Sequence, residues 1–172
     1  MSVSDRNAIT VRSIDFCQDA LGLKDMLGED APLIAQLEPA VDEGQAFILV
    51  SEAGGRVAGW VVVRTAYRED TGWSAEGDTA SYVIAPKAYL EYLEVSEAFR
   101  RQGVGTKLVE AAEVEASARD RDALWLHVRE ENTGAIRLYE QLAWRHRDTI
   151  HPSWMQGEPT RVYRKSLSRQ SE

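Results

Sequence analysis

The apolar positions change period along the chain, and each change marks an element. Val104, Leu108, Ala111, Ala112 and Ala116 recur at helical spacing, whereas Tyr89-Leu90-Glu91-Tyr92-Leu93-Glu94-Val95 just before them is an aromatic and aliphatic run of strand length. A strand therefore feeds a helix through Phe99-Arg100-Arg101-Gln102-Gly103-Val104-Gly105-Thr106. Upstream, residues 9–12 predict a first strand, and residues 15–26 a helix in which Phe16, Ala20, Leu21 and Leu23 supply the apolar contacts. A break at residues 28–32 follows, and Asp30 with Pro32 starts a second short helix over 31–37. Residues 46–51 and 57–65 predict two strands of an antiparallel hairpin, joined through Glu52-Ala53-Gly54-Gly55-Arg56, with Trp60-Val61-Val62-Val63 expected to be buried.

The pattern then lapses over residues 67–79, a polar excursion around Trp73 whose length suits a functional loop, with Trp73 a candidate for lining an acceptor pocket. Residues 123–129 predict a strand with Leu124, Leu126 and Val128 on one face and Trp125 and His127 on the other. Residues 131–142 predict a helix on the stripe Ala135, Leu138, Tyr139 and Leu142, which Asn132 or Thr133 can cap. Two more strands, 145–149 and 161–167, close the chain around a loop opened by His151-Pro152-Ser153-Trp154.

Composition narrows the class. A chain of 172 residues, 44% hydrophobic and 28% charged, fits a single domain over 1–172 with a proper core. A net charge of −8 argues against nucleic-acid or anionic-membrane partners, and it would favour a cationic acceptor such as an amine. The lone Cys17 excludes an internal disulfide framework, leaves no metal cluster, and is expected to be a small buried residue. No apolar run follows Asp5 and Arg6, so neither a signal peptide nor a membrane span is expected, and a cytoplasmic location is the default.

The Gly103-x-Gly105 segment has the outline of a phosphate site. At a helix start the first amides have no intrahelical acceptor and the macrodipole is positive, so backbone alone can hold an anion. Glycine allows close approach, Arg100 and Arg101 add positive charge, and Lys107 lies in the first turn. A dinucleotide fingerprint would need glycine where Leu108 stands, and the Gly-Lys-Ser/Thr ending of a nucleotide P-loop is missing.

Arg100-x-x-Gly103-x-Gly105 after Leu93-Glu94-Val95, followed by Leu126-His127-Val128, Asn132 and Leu138-Tyr139, resembles the core of the GCN5-related N-acetyltransferases. The resemblance implies a mixed α/β fold, an acyl-coenzyme A N-acyltransferase sheet with splayed strands near Leu93 and Leu126, flanked by about four helices. It implies acetyl-coenzyme A as cosubstrate, its pyrophosphate wrapped by Arg100, Arg101, Gln102, Gly103, Val104, Gly105 and Thr106, its pantetheine arm along Leu93, Glu94 and Val95, with Asn132 and Tyr139 as further contacts. It also implies that Tyr139 protonates the departing thiolate, a phenol of reference pKa about 10 being a reasonable donor.

For the base, Tyr89, Glu91 and His127 compete. Tyr89, Glu91, Leu93 and Val95 share strand parity, and family members with a carboxylate base place it at the Glu91 position. His127 titrates near neutrality, and Leu126-His127-Val128 with Tyr89 is similar to protein N-terminal acetyltransferases, where that pair holds a water that relays the proton. The loop after His151 lacks the paired tyrosines of peptide-acting members, and Leu142-Ala143-Trp144 replaces the Leu-Gly-Phe usual in the family. The expectation is therefore an N-acetyltransferase acting on a small cationic amine with Glu91 as base, Trp73 and Trp154 near the acceptor, and a monomer or homodimer. A protein N-terminal or lysine acetyltransferase and a non-catalytic acyl-coenzyme A sensor are the alternatives, and Tyr139 speaks against the sensor.

Overall fold

A computed structural model of the chain describes residues 8–30, 32–65, 87–152 and 155–167. Within them the elements run β1 (Thr10–Ser13), α1 (Phe16–Leu27), α2 (Pro32–Asp42), β2 (Ala46–Ala53), β3 (Arg56–Arg64), β4 (Lys87–Val95), α3 (Val104–Ala118), β5 (Ala123–Arg129), α4 (Thr133–Gln141), β6 (Arg145–Ile150) and β7 (Thr160–Ser166). The strands form one mixed sheet in the order β1-β2-β3-β4-β5-β7-β6. β4 and β5 are parallel, and β1/β2, β5/β7 and β6/β7 are antiparallel. Two compact units divide the chain, Met1–Val63 with Tyr92–Ala112 and Arg64–Glu91 with Glu113–Glu172.

In the first unit, Leu23 and Leu27 of α1 and Ile34 and Leu37 of α2 bury themselves with Ile48, Val50, Trp60 and Val62 of β2 and β3. Two expectations for α1 are corrected here. Leu21 is 71% exposed and Ala20 is exposed, because the stripe that faces inward is Asp19, Leu23 and Leu27. Asp19 can occupy it because Arg12 grips both its carboxylate oxygens, at 2.7 and 2.8 Å, and the Asp15 amide donates to it at 2.8 Å. Burial alone would raise the Asp19 carboxyl, but those bonds outweigh it and hold it below the usual range. Cys17 is exposed, not buried. It lies four residues before Leu21, on the same outward face of α1.

Helix α2 runs past the predicted end at 37 to Asp42, because Ile34, Leu37 and the half-buried Val41 continue its apolar stripe through Pro39. The backbone bonds Glu43 N to Pro39 O (3.0 Å) and Gln45 N to Ala40 O (2.8 Å) close its end. On β3, a Cβ at Gly59 would stand 2.7 Å from the Glu94 carbonyl oxygen and 3.1 Å from Leu108, so glycine there lets β4 and α3 pack tightly onto β3.

In the second unit, β5 alternates as its sequence predicts, with Leu124, Leu126 and Val128 buried and Trp125 and His127 half-buried on the opposite face. Helix α4 buries Ile136 and Tyr139, and Trp144 follows it into the core with its indole N–H donating to Glu113 at 2.8 Å. β5 and β7 pair along all seven residues of each strand. The β4–β5 ladder joins Lys87–Tyr89 to Ala123–Trp125 and stops there, although β4 continues to Val95 and β5 to Arg129. Among the described residues no helix is long and apolar enough to cross a membrane.

Candidate active site

The glycine loop enters α3 with two residues in the left-handed region, Arg101 (φ 59°) and Gly103 (φ 84°). Nothing lies within 4 Å of where a Gly103 Cβ would be, so the backbone faces open space at the helix start. The helix begins with Lys107 N bonded to Gly103 O at 3.0 Å, which leaves the amides before it without intrahelical acceptors. Side chains brace the loop from below: Arg100 Nε donates to Val95 O at 3.2 Å and Gln102 Nε2 to Ala98 O at 2.9 Å. Lys107 Nζ instead donates to Ile9 O at 3.1 Å. Arg101 is exposed. An open glycine in the left-handed region at a helix N-terminus fits a pyrophosphate, so this chain's residues fit the phosphates of acetyl-coenzyme A. Leu93, Glu94 and Val95 are half-buried at the end of β4, and Ser96 N is tied to Ala58 O at 2.9 Å.

The groups suited to proton transfer lie in the second unit. Tyr89 and His127 come together: the phenol oxygen is 2.8 Å from His127 Nδ1, with ring centroids 5.4 Å apart. Parity explains it, because Tyr89 is level with Trp125 in the parallel ladder and His127 is the next β5 residue on that face. Burial pushes the His127 imidazole down to about 4, so at neutral pH it is uncharged and can accept a proton. Glu91 stands differently. Its Oε2 is 2.5 Å from Arg64 Nε, and its side chain is 10% exposed. No spacing rule revealed this partner, since Arg64 and Glu91 are 27 residues apart and belong to different strands.

Tyr139 is 5% exposed, its ring centroid 5.5 Å from that of Trp144 and 6.4 Å from that of Tyr163. Burial pushes its phenol upward, so it keeps its proton throughout the physiological range. Asn132 caps α4, accepting from the Ala135 amide at 3.1 Å. Tyr163 is level with Leu126 in the β5–β7 ladder, so Tyr139 packs on the sheet face opposite to that of His127 and Tyr89. Trp73 and Trp154 lie outside the described residues.

A mixed seven-stranded sheet with an early-ending parallel ladder and a glycine loop at a helix start defines an acyl-coenzyme A N-acyltransferase fold. Residues 15–144 match the model of the Acetyltransferase (GNAT) family, and the chain belongs to that family. N-alpha-acetyltransferase 60 of Xenopus tropicalis is 34% identical over 105 residues, which are 55% of this chain and 41% of that protein. An N-alpha-acetyltransferase of Sulfurisphaera tokodaii is 26% identical over 117 residues, 67% of this chain and 66% of that protein. The chain thus spans less than two thirds of the length of these curated relatives. Among solved structures, yncA from Salmonella typhimurium, determined with its cofactor acetyl-CoA, superposes with a TM-score of 0.72 at 18% identity, covering 96% of this chain and 98% of that one.

Proposed function

We propose that the chain transfers the acetyl group of acetyl-coenzyme A to the α-amine of a polypeptide N-terminus. The observation that carries this reading is the 2.8 Å contact of Tyr89 with a neutral His127, set against a Glu91 already held by Arg64. A small cationic amine would need Glu91 as a free carboxylate, both to attract the ammonium and to take its proton. Paired with Arg64, that carboxylate has little net charge to offer. Two relatives, both bearing the name N-alpha-acetyltransferase, point the same way.

Bound acetyl-coenzyme A supplies an acetyl group activated as a thioester. The backbone of residues 101–106 holds the phosphates, and the β4 backbone over Leu93, Glu94 and Val95 lines the pantetheine. His127 and Tyr89 orient a water that takes the proton released when the amine nitrogen bonds to the carbonyl carbon. With its pKa depressed, His127 would hold the water by hydrogen bonding and not keep the proton, which would pass through that water to bulk solvent. Tyr139, on the other face of the sheet, would give its hydroxyl proton to the departing sulfur and regain one from solvent. Relay and donor on opposite faces suit an acetyl group placed where the β4–β5 ladder ends.

The test uses three acceptors with the same acetyl-coenzyme A: a peptide with a free N-terminus, the same peptide with its α-amine blocked and a lysine left free, and a polyamine. Thiol release with the first alone supports the proposal. Release with the polyamine alone would restore the small-amine reading.

A further inference from the structure

In the second unit, the β6–β7 hairpin borders a cavity of about 210 Å³ lined by Ala143, Arg145, Arg147, Arg164, Lys165 and Ser166. Four of those six side chains are cationic and none is acidic, in a chain whose 28 acidic residues outnumber its 20 basic ones. Arg145 and Arg164 are directly opposite each other in the β6–β7 ladder, where like charges repel. The register slips between His146 and Asp148, so Arg147 is the extra residue of a bulge and its place in the cavity owes nothing to a cross-strand partner. Arg164 is braced, its guanidinium 5.7 Å from the Trp125 ring centroid and donating to Ser166 Oγ at 2.7 Å. Lys165 is braced too, by the Leu142 carbonyl and by Glu113 at 3.6 Å. Arg145 and Arg147 are exposed and have no ion-pair partner among the described residues.

Guanidinium groups crowded together repel one another, and an anion between them relieves that repulsion. We propose that this cavity is an anion site for a compact phosphate dianion, free inorganic phosphate or a small phosphomonoester. Guanidinium forks match phosphate oxygens two at a time, and three arginines line this cavity. The cavity, about 210 Å³, has room for one phosphate group. The net charge of −8 selects in the same direction. A dianion confined to the cavity is screened from the remaining acidic surface beyond a Debye length of ~8 Å, whereas a polyanion running past the hairpin would meet it.

Phosphate binding is measured by the rise in melting temperature at constant ionic strength, balanced with potassium chloride. Saturating coenzyme A is present so that the loop before α3 is already filled. Inorganic phosphate should raise the melting temperature by several degrees over chloride, and Arg145→Gln/Arg147→Gln should abolish the rise. Without phosphate the double variant should melt no lower than the parent, since removing the crowded charges relieves repulsion. Glycerol 3-phosphate in a parallel titration separates the sources: tighter binding than inorganic phosphate assigns the site to a phosphomonoester, and weaker binding to the free ion. Equal rises in parent and double variant, or no rise beyond chloride, would overturn the proposal. So would a short single-stranded oligonucleotide that binds more tightly than phosphate and loses that binding in the double variant.

Discussion

The buried imidazole of His127 makes a prediction that needs no substrate. Its pKa falls from 6.5 in an open chain to about 4 in the fold, because burial penalises the charged form. Above pH 6.5 neither state is protonated there, and His127 adds no pH dependence. Between 6.5 and 4 the unfolded chain takes up a proton that the native state refuses, so stability falls as the pH falls. Below 4 both states are protonated and the slope vanishes. From those two pKa values, linkage gives a loss relative to pH 7 of about 1.2 kcal/mol at pH 5.5 and about 2.4 kcal/mol at pH 4.5. These are ceilings, since His127 is half-buried and water screens part of the penalty. The assay is urea unfolding of the parent and of His127→Asn at pH 7, 5.5 and 4.5; asparagine removes the titration but can still hydrogen-bond Tyr89. Carboxylates elsewhere titrate alike in both proteins and cancel in the difference. The parent should lose stability faster than the variant, by an amount approaching those ceilings. Parallel pH profiles would show that His127 is solvated and able to charge, and would remove the argument for a neutral relay.

Other expectations follow from single residues. On the proposed role of its hydroxyl at the leaving sulfur, Tyr139→Phe should lower kcat by roughly 10² to 10⁴-fold with little change in the KM for acetyl-coenzyme A; steady-state kinetics would show an unchanged kcat if Tyr139 only packs. Acetyl-coenzyme A should raise the melting temperature of the parent, and Gly103→Asp should lose the rise by placing a carboxylate where the phosphates bind. Gly59→Ala should cost at least ~2 kcal/mol in urea unfolding, since its methyl would meet the Glu94 carbonyl oxygen at 2.7 Å and rigid backbone cannot yield.

The sequence disclosed what depends on local spacing and missed what depends on long-range partners. Strand, glycine loop and helix were visible at 89–106 because periodicity and glycine placement are local signals, and the alternation on β5 put His127 and Trp125 on the correct face. The inward stripe of α1 was misread because an aspartate occupies it, and only Arg12, seven residues upstream and on another element, makes that acceptable. Cys17 was placed inside on general tendency, though its position beside the outward Leu21 sets it at the surface. The contact of Glu91 with Arg64 was not visible because nothing near Glu91 in sequence announces that partner. Tyr89 and His127 could be paired only by knowing that β4 and β5 are parallel neighbours in register, which the family resemblance implied and residue spacing did not.

The central claim is that the proton leaves the acceptor through Tyr89 and His127 and not through Glu91. The most direct measurement is kcat/KM near neutral pH for His127→Ala and Glu91→Gln, with a peptide bearing a free N-terminus as acceptor and the folded state of each variant checked by its melt. The account predicts that His127→Ala loses roughly 10² or more in kcat/KM, while Glu91→Gln, which breaks the contact with Arg64, loses stability more than it loses rate. A Glu91→Gln variant that melts like the parent yet is nearly inactive, beside a His127→Ala variant close to full activity, would contradict it.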